Sequence, residues 1–107
     1  NGKWQGERVL PAGWVVASTL RSAPAASEPD GFDYGYQWWV PTESVRNGGD
    51  FMARGIYGQY IYVNPRNRTV IVRTAANRKF RESVEGGVYT GHVFVDMFRT
   101  ISSALSQ

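Results

Sequence analysis

Apolar and polar positions alternate most clearly in the middle of the chain. Tyr60-Ile61-Tyr62-Val63 and Thr69-Val70-Ile71-Val72-Arg73-Thr74 are dense in aromatic and β-branched residues, and their period of two predicts strands. That period puts Tyr60 and Tyr62 on one face and Ile61 and Val63 on the other. Asn64-Pro65-Arg66-Asn67-Arg68 predicts a reversal between them, because Pro65 fixes φ and asparagine tolerates the left-handed region. A first strand is predicted over residues 34–40, ended by Pro41, and a second over residues 51–63. Residues 44–50 carry the Asn-Gly and Gly-Gly signals of a turn. Three strands joined by short turns predict an antiparallel meander.

Helical spacing governs the C-terminal part. Val93, Phe94, Met97, Phe98, Ile101 and Leu105 fall on one stripe, which predicts an amphipathic helix over residues 88–106 lying across the sheet. A short helix is predicted over residues 10–19, with Pro11 in its first turn, where a missing N–H costs nothing. Residues 1–9 read as the end of a preceding element plus a turn. Residues 22–31 and 77–87 read as loops. The expected fold is therefore α+β: a three-stranded antiparallel meander, a short N-terminal helix and a C-terminal helix packed on the sheet, in a single unit spanning residues 1–107.

Composition narrows this picture in a few places. At 107 residues, 42% hydrophobic and 20% charged, the chain fits one globular domain or less, with a modest core. Four Trp, six Tyr and five Phe are many for the length, which fits a core of few large side chains or a surface cut from a larger body. There is no cysteine, so no disulfide and no thiolate metal site; no metal and no cofactor are expected. No apolar run is long enough for a transmembrane helix, and no membrane association is expected. Asn1-Gly2-Lys3 opens the sequence without an initiator Met, which fits a mature product, a trimmed chain or a fragment. The net charge of +3 is uneven: between Arg46 and Arg81 stand eight basic residues and one acid, Asp50. Either a basic hairpin meets an anionic partner, or arginines keep strand edges and turns soluble. No groove-entering helix or nucleic-acid motif accompanies the charge, so nucleic acid is not the expected partner.

Catalytic groups are scarce. His92 is the sole imidazole, and no serine has a Lys three residues later or sits in a Gly-x-Ser-x-Gly elbow. The residues that could meet a substrate are Ala53-Arg54-Gly55-Ile56-Tyr57-Gly58-Gln59, where two glycines leave backbone uncovered. The same glycines also fit a simple bulge.

Tyr34-Gly-Tyr-Gln-Trp-Trp-Val40, Phe51-Met-Ala-Arg-Gly-Ile-Tyr-Gly-Gln59, Tyr60-Ile-Tyr-Val-Asn-Pro65 and Thr69-Val-Ile-Val72 closely resemble the C-terminal portion of the serine β-lactamase and penicillin-binding-protein-like hydrolases. The nearest likeness is to the class C-like esterase and amidase branch, which includes nylon-oligomer hydrolases. Trp4-Gln-Gly-Glu-Arg-Val-Leu-Pro-Ala-Gly-Trp-Val15 resembles the segment before that sheet, so the likeness covers nearly the whole chain. It implies a partial β-lactamase-like fold whose Ser-x-x-Lys nucleophile and Tyr-x-Asn motif lie outside this sequence. It also implies a periplasmic or secreted bacterial protein, although the sequence itself leaves the compartment open.

By the same resemblance, Ala53-Arg54-Gly55 takes the place of the Lys-Thr-Gly or His-x-Gly element. Ala53 stands where a basic residue is common, which points away from β-lactam hydrolysis and toward an amide or ester substrate. The Ile56 N–H takes the place of the oxyanion donor. Ala53, Arg54, Gly55, Tyr57, Gly58 and Gln59 line the substrate side. Whether the chain is an enzyme by itself stays open; the expectation is a segment inactive alone, with a small amide or ester as substrate only in the full-length protein. Self-association or an N-terminal partner segment is expected. The alternative is a stand-alone, non-catalytic binding module with a basic hairpin.

Overall fold

The computed structural model describes residues 2–20, 23–24, 33–41, 43–78 and 91–107. Two short strands, β1 (Lys3–Trp4) and β2 (Glu7–Arg8), form a separate antiparallel pair. Helix α1 (Trp14–Thr19) follows. The main sheet then runs through β3 (Ala23–Pro24), β4 (Asp33–Gly35), β5 (Trp38–Val40), β6 (Phe51–Arg54), β7 (Tyr60–Asn64) and β8 (Thr69–Arg73). Helix α2 (Gly91–Leu105) closes the described chain. Every strand in the sheet is antiparallel to its neighbour, and spatial order equals chain order.

The architecture is α+β, but the expected three-stranded meander is wrong: the main sheet has six strands, and a second sheet has two. Two hairpins account for most of the difference. Residues 34–40 do not form one strand, because Tyr36 (φ 49°) and Gln37 (φ 70°) turn the chain between β4 and β5. Two left-handed residues in a two-residue turn match the twist of a hairpin, a place usually taken by Asn-Gly. Residues 51–63 also break in two: β6 and β7 pair from Phe51↔Val63 to Arg54↔Tyr60, with residues 55–59 as the loop. The third addition, β3, falls inside the expected 22–31 loop and is too short to carry a period. Of the expected 77–87 loop, Asn77 and Arg78 are described and irregular, and the rest lies outside the described residues. Helix α1 starts at Trp14 rather than Leu10. Pro11 sits in the turn before it, accepting from the Trp14 N–H at 3.1 Å, and Gly13 (φ 82°) is the cap.

Register decides the core. Trp39, Met52, Tyr62 and Ile71 lie in one row across four strands. Met52, Tyr60, Tyr62, Val95 and Phe98 form the buried cluster, with Trp39, Ile71 and Phe94 packed against it. Tyr60 meets Phe94 and Phe98 at centroid distances of 5.1 and 5.6 Å, and Tyr62 meets Phe98 at 5.4 Å. Alternation along β7 is as the period requires: Tyr60 and Tyr62 are buried under α2, and Ile61 faces out. The helix stripe needs correcting. Phe94 and Phe98 point inward with Val95 and Ser102, whereas Val93, Met97, Ile101 and Leu105 are exposed. Six apolar residues span more of the helix circumference than one flat sheet can cover.

A buried polar clamp fixes α2 on this sheet. Asp50, fully buried ahead of β6, accepts two hydrogen bonds from Arg99 of α2, from Nε at 2.6 Å and from Nη2 at 3.0 Å. The Tyr62 hydroxyl donates to the same carboxylate at 2.9 Å, and Asn64 Nδ2 donates to Tyr62 Oη at 3.2 Å. Ser44 Oγ donates to the Asp50 carbonyl at 2.6 Å, tying the preceding turn to it. On the far side, Asn67 Nδ2 donates to Ser102 Oγ at 3.0 Å, so the β7–β8 turn also grips α2. Burial works against the Arg99 charge, yet Asp50 outweighs it and holds the guanidinium pKa above its ordinary value. Burial pushes the Tyr62 phenol up to about 12, with Asp50 adding to the shift and Asn64 opposing it.

Removing one partner of this pair leaves a buried charge. Arg99→Met is expected to lower the unfolding free energy by about 3–5 kcal/mol in a urea titration, and Arg99→Met combined with Asp50→Asn to recover most of the loss. Tyr62 gives a pH signature. Its unfolded phenol ionises near pH 10 and its folded one near 12, so above pH 10 protons leave the unfolded state first and unfolding gains. Stability is expected to fall between pH 10 and 12 by up to about 2–3 kcal/mol, and Tyr62→Phe to remove that fall.

Candidate functional site

The residues expected on a substrate's side come together at one end of the sheet. Ala53 and Arg54 end β6; Gly55, Ile56, Tyr57, Gly58 and Gln59 form the loop that returns to β7. The predicted strand edge is therefore a strand end plus a loop. The loop is closed by its own polar groups. The Gly55 N–H donates to the Gln59 carbonyl at 2.8 Å, and the Gly58 N–H to the Gly55 carbonyl at 3.2 Å. The Tyr57 N–H donates to Gln59 Oε1 at 2.9 Å. From outside the loop, the Asn77 N–H donates to the Tyr57 carbonyl at 3.1 Å, and the Arg73 guanidinium donates to the Gly58 carbonyl.

Both glycines have physical reasons. Gly58 is buried at φ 86°, a conformation that L side chains rarely adopt. A Cβ on Gly55 would lie 2.5 Å from Gln59 Oε1, the atom that holds the Tyr57 N–H. These tight contacts leave Ile56 and Tyr57 on the outside, 55% and 43% exposed. No acceptor among the described residues takes the Ile56 N–H. The ladder between β5 and β6 consists of Trp39↔Met52 alone, so Ala53 and Arg54 carry a ladder only on the β7 side among the described residues. The Ile56 N–H thus lies just past the end of β6.

Arg54 does not replace the basic residue missing at Ala53. It stacks over Trp39, 4.7 Å from the ring centroid, on the face it shares with Tyr60 and Arg73. Ala53 points to the opposite face, opposite Ile61. Arg73 covers Phe94 at 4.6 Å while holding Gly58.

No nucleophile–base pair forms among the described residues. Ser44 and Ser102 are buried in the clamp, and Ser18 donates to the Val15 carbonyl at 3.2 Å. Lys3 lies on β1, and Lys79 lies outside the described residues, as does the His92 side chain. Among the described residues no cluster of His, Asp or Glu could hold a metal ion, and no helix is long and apolar enough to cross a membrane. Comparison with protein-family models and with curated proteins finds no match.

Four of the eight basic residues in this tract, Arg46, Arg54, Arg66 and Arg73, are engaged in the fold. Arg66 donates to the Arg46 and Val45 carbonyls, both at 3.3 Å, and Arg46 pairs with Glu43 at 3.4 Å on the surface. Sequence reasoning missed the Asp50–Arg99 pair. Its signal was present: Asp50 is the lone acid in the basic tract.

Gly55→Ala is expected to displace the Gln59 side chain and free the Tyr57 N–H. Amide exchange at Tyr57 should accelerate while exchange in β7 does not, and Gln59→Ala should reproduce the effect. The accompanying stability loss should be about 1 kcal/mol.

Proposed function

We propose that this chain is the C-terminal sheet-and-helix segment of a serine hydrolase of the β-lactamase and penicillin-binding-protein-like type. In the full-length protein it supplies one wall of the active site. The observation that carries this reading is the Ile56 N–H: a backbone donor on a loop braced by five hydrogen bonds, just past the end of β6. An oxyanion donor must be fixed before charge develops, since a donor that has to reorganise gives up its advantage. The bracing by Gln59, Arg73 and Asn77 suits that requirement.

The chemistry follows from what the segment has and lacks. An external serine attacks an ester or amide carbonyl, and its proton passes to an external base. The carbonyl oxygen becomes an oxyanion that accepts from the Ile56 N–H. Collapse expels the alcohol or amine and leaves an acyl-enzyme, which water then cleaves. Ala53 offers no cation for a substrate carboxylate, and Arg54 is held on Trp39. An uncharged amide or ester fits this wall better than a β-lactam acid. The basic-hairpin module has less support, because Arg46, Arg54, Arg66 and Arg73 are all engaged in the fold.

The isolated chain is expected to turn over neither a chromogenic ester nor a chromogenic cephalosporin. Turnover abolished by substituting one of its own serines would refute the external nucleophile. In a full-length protein carrying Ser-x-x-Lys upstream of Asn1, Ile56→Pro should lower kcat by about 10²–10³ with little change in KM. An unchanged kcat would remove Ile56 from the oxyanion site.

A further inference from the structure

The β4–β5 turn lies at the same end of the main sheet as the loop from Gly55 to Gln59. β5 runs antiparallel to β6 with Trp39 opposite Met52, so the start of β5 lies beside the end of β6. Arg54, the last residue of β6, stacks on Trp39 of β5 at 4.7 Å, which holds these two strand ends together. The turn that enters β5 is Tyr36-Gln37. The Tyr36 ring meets Trp14, the first residue of α1, edge-on at 5.7 Å and 60°. Trp14 and Tyr36 are 47% and 56% exposed, and the loop at the same sheet end exposes Ile56 and Tyr57.

The turn keeps its aromatic side chain at a conformational cost. Tyr36 at φ 49° and Gln37 at φ 70° are both left-handed, where a bulky residue is uncommon and Asn-Gly is the favoured pair. Strained residues of this kind persist where the surrounding structure holds them, and they cluster at functional sites. The contact with Trp14 does not account for the cost. Both rings stay about half exposed, so their contact removes little apolar surface from water. An edge-on pair also leaves ring faces uncovered, and a third flat ring can pack against them.

We propose that Trp14 and Tyr36 form an aryl subsite beside the Ile56 N–H, and that the substrate is an ester or amide carrying an aromatic ring. The ring packs on the Trp14–Tyr36 pair while the carbonyl oxygen accepts from Ile56. Ala53 supplies no cation and Arg54 is held on Trp39, so ring burial rather than charge pairing provides the affinity. The subsite rests on the reading of Ile56 as the donor to a substrate carbonyl. Its test reads binding rather than turnover, and it follows the two contacts separately.

The isotope-labelled chain is titrated by heteronuclear NMR with N-phenylacetamide, whose ring is on the amine side, and N-methylbenzamide, whose ring is on the acyl side. N-butylacetamide offers the amide without a ring. At least one aryl probe is expected to shift the Trp14 indole N–H and the Ile56 amide together, and to bind at least about 10-fold more tightly than N-butylacetamide. Tyr36→Phe should keep that binding. Tyr36→Asn should weaken it about 10-fold without lowering the melting temperature, because asparagine tolerates the left-handed turn. A Tyr36→Asn chain that melts lower yet binds the aryl probe unchanged would make Tyr36 a structural residue and overturn the proposal. Shifts at Trp14 without Ile56 support the aryl subsite and remove Ile56 as the carbonyl's donor. Shifts at Ile56 without Trp14 overturn the subsite and leave that donor in place. Equal binding of all three probes, or binding of none, overturns the proposal.

Discussion

The bidentate contact between Asp50 and Arg99 is the constraint on which the rest of the structure leans. It joins the turn ahead of β6 to the middle of α2, and the Tyr62 hydroxyl gives the same carboxylate a third donor. Tyr62 and Asn64 belong to β7, so one carboxylate sets the position of strand, turn and helix together. The aromatic contacts of Phe94 and Phe98 supply apolar burial, but rings tolerate small slides. The charged hydrogen bonds do not. A desolvated ion pair adds little net stability over an apolar replacement, whereas breaking it by removing one partner leaves a buried charge unpaired.

That placement reaches the candidate site. Tyr60 sits between Arg54 and Arg73 in one row of the ladder, and Phe94 of α2 packs on both Tyr60 and Arg73. Arg73 in turn holds the Gly58 carbonyl. The loop that presents the Ile56 N–H is therefore braced from beneath by the same helix that Asp50 anchors. Rigidity at the loop is inherited from the core rather than supplied by the loop alone.

Much of this was legible in the sequence, for reasons that differ by element. β7 and β8 are long enough for period two to show, and their β-branched and aromatic residues agree with it. α2 announces itself through helical spacing. The short strands escaped because two or three residues carry no period, and because Tyr36-Gln37 contains no residue that advertises a left-handed turn. Residues 55–59 read as strand from their aromatic and apolar content, yet the Gln59 side chain bends the backbone back onto Tyr57. Helical spacing groups the whole stripe on one face, but only Phe94 and Phe98 of it reach the core, while Val93, Met97 and Ile101 stay exposed. Side-chain pairs such as Asp50–Arg99 are invisible to periodicity, since they join positions 49 residues apart. Of the candidate site, the sequence singled out residues 53–59, and the structure shows how the loop from Gly55 to Gln59 is braced.

The agreement between spatial order and chain order in the main sheet bears on how the protein is made. Each strand from β4 to β8 can pair with the one synthesised just before it, so the sheet can grow as the chain emerges. The clamp cannot. At ribosomal rates of about 5–20 residues per second, Asp50 waits roughly 2–10 s for Arg99 to be synthesised. During that interval its carboxylate must stay hydrated, which keeps the helix-facing side of the sheet open to water. Whatever part of the sheet forms before α2 arrives keeps its helix-facing side, with Met52, Tyr60 and Tyr62, uncovered until then.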